Sequence, residues 1–322
     1  MPTSDMKVLY NTFAPAPLYA LFREVAPPWC QVVTLDSADP AEFVEKLATA
    51  EVIIVDDPLR SAASDAAPRL RFVQHQGVGY HGRVDLDALR ARRIPFAITP
   101  EGTSEGVAEH FVLLMLAVAR HLPVLDREIR VGHFLEREMR SVSFELLGKT
   151  VGFVGMGKIG QAAARRLRPF GVSLLYHDVS PLPAELEATL GLRRAGFDEL
   201  LAASDVVSLN LPGTEATRHL MNAAAFARMK PGAILINTAR GSLVDEAALV
   251  QALRSGRLAG AGLDVYETEP LPMGHALLAL TNTVLTPHVA CGTHDAFRAK
   301  MIAIFANVQR LRAGEPLRNQ VP

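Results

Sequence analysis

The sequence predicts an α/β protein of two domains, each built on a parallel sheet, and three observations predict it. Short apolar runs of strand length alternate with helix-like stretches through the first hundred residues, and again from Thr150 to about residue 287. A glycine turn, Gly155-Met156-Gly157-Lys158-Ile159-Gly160, opens the second series between a strand-like and a helix-like run. The length of 322 residues fits about two domains. Strands joined by helical crossovers lie parallel, in a sheet covered on both faces.

In chain order, residues 7–10, 31–35, 52–55 and 72–74 are apolar runs of strand length. Residues 17–25, 41–50 and 84–92 read as helices between and after them, and 95–99 is extended. A long helix begins near Ser104, because Val107, Ala108, Phe111, Leu114, Met115 and Val118 recur at helical spacing. A second apolar face, with Leu113, Leu116 and Ala117, predicts burial on both sides, with a partner subunit as one cover. Residues 126–140 are charged and irregular, as an arm or connector would be. Six strands follow, over 150–154, 172–178, 205–211, 233–238, 261–265 and 283–286. The helix over 246–255 has Asp245 as its N-cap. An amphipathic helix over 295–312 lies beyond the sixth strand and is placed to return to the first domain.

The glycine turn carries the first chemical signal. It is followed by a second strand-like run that ends on Asp178, eighteen residues past Gly160. Strand, glycine turn, helix, strand and acid together form the unit that holds a dinucleotide. Gly155 makes the tight turn, Gly157 admits a pyrophosphate to the backbone, and Gly160 lets the helix approach the strand. The helix N-terminus, at Lys158 and Ile159, offers unpaired N–H groups and a positive dipole end to the phosphates. Asp178 accepts from a ribose 2′-OH and repels a 2′-phosphate, so the expected cofactor is NAD and not NADP.

Composition excludes other classes. A net charge of −1 and a pI of about 6.8 give no electrostatic case for nucleic acid or an anionic membrane. The longest unbroken apolar run, residues 111–119, is far short of a membrane span. The first residues are polar and lead into a strand, so they do not read as a signal peptide. Cys30 and Cys291 make neither a disulfide framework nor a metal spacing. A cytoplasmic location and no metal are expected.

In an open parallel sheet ligands bind beyond the carboxyl ends of the strands. Arg240, Glu269 and His288 stand past three such ends. Alone, each also fits a surface charge, a turn acid or a satisfied loop histidine. Together they match the needs of keto-acid reduction. Arginine binds the carboxylate and polarises the ketone through its fork of donors. Histidine protonates the carbonyl oxygen near neutral pH. A carboxylate beside the imidazolium stabilises and orients it.

At these residues the chain resembles the D-2-hydroxyacid dehydrogenase family, over nearly its whole length. Met229-Lys230-Pro231-Gly232 through Asn237-Thr238-Ala239-Arg240-Gly241, then Leu243-Val244-Asp245-Glu246, is similar to the family's arginine signature. Gly262-Leu263-Asp264-Val265-Tyr266-Glu267-Thr268-Glu269-Pro270 resembles its glutamate signature, and Thr286-Pro287-His288-Val289-Ala290 its histidine signature. The resemblance implies Arg240, Glu269 and His288 as the catalytic set, and a cleft that closes on substrate. It implies a Rossmann-type doubly wound NAD-binding domain, 101–292, inserted in a smaller flavodoxin-like substrate domain, 1–100 with 293–322. It places the substrate carboxylate on backbone N–H groups of Gly77, Val78 and Gly79, and adds Pro212, Thr238, Asp264 and Gly292 around the cofactor. Asp264 is expected at the nicotinamide amide, with a strand-end cap as the plainer alternative. A small 2-keto or 2-hydroxy acid partner and a homodimer follow.

Departures bear on substrate. His81 or Arg83, after the glycine loop, is placed to touch substrate, though a solvated loop is the plainer reading. Asp56-Asp57-Pro58 is a poor setting for a substrate phosphate, with Arg60 the nearest compensating cation. Hydroxypyruvate or glyoxylate is therefore preferred to 3-phosphoglycerate, and no extra C-terminal regulatory domain is expected. Cys291 reads as a packing residue and not a nucleophile. The alternatives are phosphite oxidation with a similar Arg, Glu and His set, and a non-enzymatic NADH-sensing scaffold of the corepressor kind. An unrelated methyltransferase would leave Arg240, Glu269 and His288 without a role.

Overall fold

The computed structural model describes residues 5–59, 66–80 and 82–322. The chain divides into two compact units, Met1–Thr103 with Thr293–Pro322, and Ser104–Gly292. The first contains β1 (Met6–Tyr10), α1 (Ala16–Val25), β2 (Cys30–Val33), α2 (Pro40–Leu47), β3 (Val52–Val55), β4 (Phe72–His75), α3 (Leu86–Ala91) and β5 (Phe96–Ile98). The second opens with α4 (Thr103–Ala119) and α5 (Leu122–Arg130), then a 3-10 turn at Glu138–Ser141. It continues through β6 (Thr150–Val154), α6 (Lys158–Leu167), β7 (Ser173–His177), α7 (Ala184–Leu190), β8 (Leu192–Arg194) and α8 (Phe197–Ala203). It ends with β9 (Val206–Leu209), α9 (Ala223–Arg228), β10 (Ala233–Asn237), α10 (Glu246–Arg254), β11 (Leu258–Leu263) and β12 (Thr283–Leu285). Helix α11 (His294–Ala313) returns to the first unit.

The first sheet has the order β2-β1-β3-β4-β5, every pair parallel. This is the flavodoxin-like order, reversing direction between β1 and β3. All four residues of β3 are fully buried, which is why that strand reads as an unbroken Val-Ile-Ile-Val run and not as an alternation. Asp39 caps α2 through the Ala41 N–H, and Asp85 caps α3 through the Ala88 N–H. Met301, Ile304, Phe305 and Val308 of α11 are buried with Tyr10 and Phe22. Burying such a side chain contributes about 1.5–3 kcal/mol, enough to fix the helix on this sheet.

The second sheet has the order β12-β11-β10-β9-β6-β7-β8, again all parallel. It reverses between β6 and β9, the arrangement of a doubly wound dinucleotide fold. It holds seven strands where six were expected. The added one, β8, is a short edge strand, Leu-Arg-Arg, with a single buried residue and hence no apolar run to read. Strand β11 also starts earlier than expected, because Leu258 pairs with Ala233. The charged arm contains more helix than its pattern implied, in α5 and the 3-10 turn.

On α4 the six residues of the first apolar face are all buried. The second face is only partly covered, since Ala117 is buried while Leu113 is 53% exposed. Among the described residues no single helix is long and apolar enough to cross a membrane.

Candidate active site

The glycine turn lies at the switch point, between β6 and α6. Gly155 has φ +90°, and a Cβ there would stand 2.5 Å from the Asn210 carbonyl oxygen. Only glycine combines that conformation with that approach. Gly157 is exposed with open space around its missing Cβ, and Gly160 is buried. The N–H groups of the first turn of α6, at Lys158, Ile159 and Gly160, have no acceptor within the helix. Asp178 follows β7. Its Oδ2 accepts from the Met156 N–H at 2.7 Å and its Oδ1 from the Ser180 N–H at 3.2 Å. The acid therefore also holds the glycine turn in shape.

Two buried oxygens past the same carboxyl ends have no hydrogen-bond partner, Thr238 Oγ1 after β10 and Asn210 Oδ1 after β9. Orphaned buried acceptors are costly unless a ligand meets them. With the open side of Gly157 and the N-terminus of α6, they fit a dinucleotide. Pro212 lies in the loop after β9, its carbonyl accepting from the Thr217 hydroxyl at 2.8 Å. A Cβ on the next residue, Gly213, would meet Arg240 Cβ at 3.1 Å, so this loop packs on the arginine.

Arg240 is set by Asn237, a buried residue whose role the sequence did not disclose. The Asn237 Nδ2 donates to the Arg240 carbonyl at 2.9 Å, and its Oδ1 accepts from the Ala239 N–H at 3.0 Å. This staples the bend after β10. Gly241 then packs on the loop that carries the glutamate, where a Cβ would stand only 1.9 Å from the Tyr266 carbonyl carbon.

The glutamate and the histidine meet. Glu269 Oε2 lies 2.7 Å from His288 Nδ1, and Glu269 Oε1 accepts from the Tyr266 N–H at 3.1 Å. Both side chains are about one-third exposed, 37% for the histidine and 32% for the glutamate. The pair is thus held from behind and open in front. Glu246, at the start of α10, adds support by accepting from the Glu267 N–H at 2.8 Å. Burial pushes the Glu246 carboxyl above the usual carboxylate range, and His275 stands 3.2 Å from its other oxygen. Burial also pushes the Tyr266 phenol up to about 12, with Asp264 adding to it.

Asp264, expected at the nicotinamide amide or as a strand-end cap, makes the contacts of a cap. It is fully buried, and its carboxylate accepts from Thr286 Oγ1 at 2.6 Å and from the Val289 and Ala290 N–H groups at 2.9 Å each. These donors tie the loop of His288 to the carboxylate. Gly292 closes that loop with an N–H bond to the Val289 carbonyl at 2.7 Å. His110, which no sequence pattern singled out, reaches the same group from α4.

In the first unit the glycine loop follows β4, and one of its expected donors is occupied. The Gly77 N–H donates to His75 Nδ1 at 3.0 Å. Burial holds the His75 imidazole below its usual pKa. Val78 and Gly79 follow in the same loop. Arg83 Nη1 donates to the Asp56 carbonyl at 2.7 Å, so it is anchored at the end of β3. Arg60 and His81 lie outside the described residues. Cys291 is half-buried, and among the described residues no group of three or more His, Cys, Asp or Glu side chains is placed to hold a metal ion.

Comparison with known proteins gives the family. Residues 112–290 match the model of the D-isomer specific 2-hydroxyacid dehydrogenase NAD binding domain. A glyoxylate reductase of Korarchaeum cryptofilum is 38% identical over 87% of this chain and 86% of its own. A D-3-phosphoglycerate dehydrogenase of Archaeoglobus fulgidus is 36% identical over 87% of this chain, which spans only 53% of that longer protein. A solved glyoxylate reductase from Paecilomyes thermophila superposes with a TM-score of 0.82 at 32% identity, covering all of this chain and 99% of its own. The chain belongs to the D-isomer specific 2-hydroxyacid dehydrogenase family and is an NAD-dependent oxidoreductase.

Proposed function

We propose that the chain interconverts a small D-2-hydroxy acid and its 2-keto acid, with glyoxylate or hydroxypyruvate preferred, and that Arg240, Glu269 and His288 are its catalytic residues. The observation that carries the reading is the 2.7 Å contact between His288 Nδ1 and Glu269 Oε2. That contact uses one ring nitrogen and leaves Nε2 for the substrate. When bound, NADH supplies the hydride that adds to the keto carbon. His288 Nε2 gives a proton to the carbonyl oxygen, so hydride and proton together convert C=O to CH–OH. Glu269 holds the ring by its Nδ1 and keeps Nε2 aimed until the transfer. The Arg240 guanidinium binds the carboxylate and draws charge from the carbonyl. The first unit is proposed as the substrate domain, with the Val78 and Gly79 N–H groups as its share of carboxylate binding. The second is proposed as the NAD-binding domain.

Substrate size rests on Asp56 and Asp57. Asp56 Oδ2 accepts from Tyr10 at 3.0 Å, and its neighbour Asp57 is exposed, so two carboxylates stand at the end of β3. A phosphate on C3 would meet like charge there, and it is this charge that favours the smaller acid, since the relatives include both glyoxylate reductases and D-3-phosphoglycerate dehydrogenases. Steady-state kinetics with glyoxylate, hydroxypyruvate and phosphohydroxypyruvate, each with NADH and NADPH, test this. A highest kcat/KM for the phosphorylated acid overturns it.

A homodimer is proposed from the second unit alone. Leu113, Leu122, Leu125, Phe144 and Leu147 line an open concavity beside α4 and α5, and Phe134 on the arm is 80% exposed. A second copy presenting the same face is the fitting cover. Light scattering of wild type against Leu113→Asp reads the assembly directly.

A further inference from the structure

A line of side chains links α4 to the loop of His288 without touching the reacting groups. His110 stands on α4 with its side chain only 13% exposed. Its Nε2 lies 2.9 Å from Thr286 Oγ1 and 3.5 Å from Asp264 Oδ1. Thr286 Oγ1 is 2.6 Å from that same oxygen. The direction of each bond follows from the donor inventory. An ionised carboxylate only accepts, and a hydroxyl has one proton to give. Thr286 therefore donates to Asp264, and must accept from an Nε2–H on His110.

The far end of the line is the backbone that presents His288. Asp264 takes the N–H groups of Val289 and Ala290 on its carboxylate and the N–H of His288 on its carbonyl, at 2.8 Å. His288 has φ +54°, a left-handed conformation that side-chain-bearing residues adopt uncommonly. Removing the His110 donor leaves the Thr286 oxygen unpaired on the side of α4 and takes away the ring that holds the hydroxyl against Asp264. The Thr286–Asp264 contact then loses its backing, and the grip on 288–290 slackens.

We propose that His110 is a positioning residue for His288, acting through Thr286 and Asp264. The inference rests on His288 being the proton donor. His110 itself touches neither the Glu269 carboxylate nor the exposed face of the pair. Its effect falls on kcat, where the aim of the imidazole matters, and spares cofactor affinity. A histidine serving only the packing of α4 would lower the melting temperature and leave turnover at lower temperature unchanged.

The test uses the full chain and six variants, His110→Phe, His110→Gln, Thr286→Val, Thr286→Ser, the His110→Phe/Thr286→Val pair, and His288→Ala as control. His110→Phe keeps the ring shape and lacks the donor, and is expected to lower kcat roughly tenfold or more, as a misaimed catalytic group does. NADH affinity, read by its fluorescence, is expected to hold. His110→Gln restores a side-chain N–H and most of the rate. Thr286→Val reproduces the loss, and the double variant is no slower than Thr286→Val alone, because both cut one line. Wild-type kcat in His110→Phe, or losses that multiply in the double variant, overturn the proposal. Should His110→Phe not fold, Thr286→Val against Thr286→Ser decides: equal rates overturn the proposal, and a loss confined to valine supports it. If His288→Ala retains turnover, the functional reading itself fails and this inference with it.

Discussion

The carboxyl-end rims of the two sheets differ in how they treat their own polar groups. In the first unit most are turned on each other, with Thr103 Oγ1 at its boundary the exception. Tyr10 donates to Asp56, Asn11 Oδ1 accepts from the Asp56 N–H, Arg83 holds the Asp56 carbonyl, and the Gly77 N–H is taken by His75. In the second unit Thr238 and Asn210 carry buried oxygens with no partner, and α6 begins with N–H groups that have no acceptor in the helix. A rim that satisfies itself is rigid and selective for what still fits. A rim with orphaned groups is completed only by a ligand. The contrast assigns the two units their different proposed roles more sharply than their similar sheet topologies do.

The largest effect expected from breaking the second rim is at His288. His288→Ala removes the proton donor and leaves the glycine turn and Thr238 in place. Turnover should fall by about 10²–10⁴, the usual contribution of a positioned acid. NADH should still bind, as titration by its fluorescence checks. Near-normal turnover with the best keto acid would show that the Glu269–His288 contact is not the proton-delivering pair.

Next is Gly241, where the arginine and glutamate loops touch. An added Cβ at 1.9 Å from the Tyr266 carbonyl carbon must displace the Tyr266–Glu267 backbone, and Glu269 depends on the Tyr266 N–H. Gly241→Ala should cost about 1–3 kcal/mol in stability, as overpacking does. A kcat loss of about 10² should accompany it if the glutamate shifts by an ångström. Urea unfolding and kcat at saturating NADH separate the two. An unshifted kcat would mean that the glutamate's place does not depend on this contact.

These two rims were not equally legible in the sequence. Arg240, Glu269 and His288 stand next to glycine, proline and strand ends within contiguous stretches, so strand ends and the family-like signatures pointed to them. The groups that hold them were hidden. His110 lies on a helix far along the chain from Thr286, and Asn237 and Glu246 look like ordinary strand-end and helix-start residues until the backbone bends are known. Asp264 was noticed, but its burial, which decides what it can reach, is a property of packing and not of spacing. In the first unit the strands were plain because β3 is apolar throughout. The His75–Gly77 bond was not, since nothing in His-Gln-Gly says which way the ring folds. The missed strand β8 has one buried residue, too little for any period to show.

His75 offers a way to loosen the self-satisfied rim. Its ring must stay neutral for Nδ1 to accept from Gly77. Burial lowers its pKa below the usual value near 6.5, and Arg83 and Lys300 add to this. For a group with a lowered folded pKa the stability is fully present above pH 6.5 and declines as the pH falls below it. Trp29 is the only tryptophan and lies in this unit, so its fluorescence reports the unit's unfolding. Wild type should lose stability on acidification from neutral pH, and His75→Leu should not show that limb. His75→Leu should also cost about 1 kcal/mol at neutral pH for the lost hydrogen bond. Freed of His75, the Gly77 N–H becomes available to a carboxylate, so KM for the keto acid should change while kcat is nearly kept. An unchanged KM would place the substrate carboxylate away from Gly77.

The smallest effect lies farther from any rim, at Glu42 on α2. Its carboxylate accepts from the Asp36 N–H at 2.6 Å, from the Ser37 N–H at 2.9 Å and from Lys46 at 2.5 Å. The Asp36 N–H first, then Lys46 and Ser37, hold its pKa down from 4.5 to about 2. A lowered acid stabilises the fold above its unfolded pKa and loses that contribution as pH falls toward the folded value. The window is therefore pH 4.5 down to about 2, below the range in which His75 acts. Glu42→Gln should flatten the Trp29 unfolding midpoint across that window and leave turnover at neutral pH unchanged, since nothing in the site depends on α2. If the acid limb survived the substitution, the contacts of Glu42 with the 36–37 backbone and Lys46 would not be what acid breaks in the first unit.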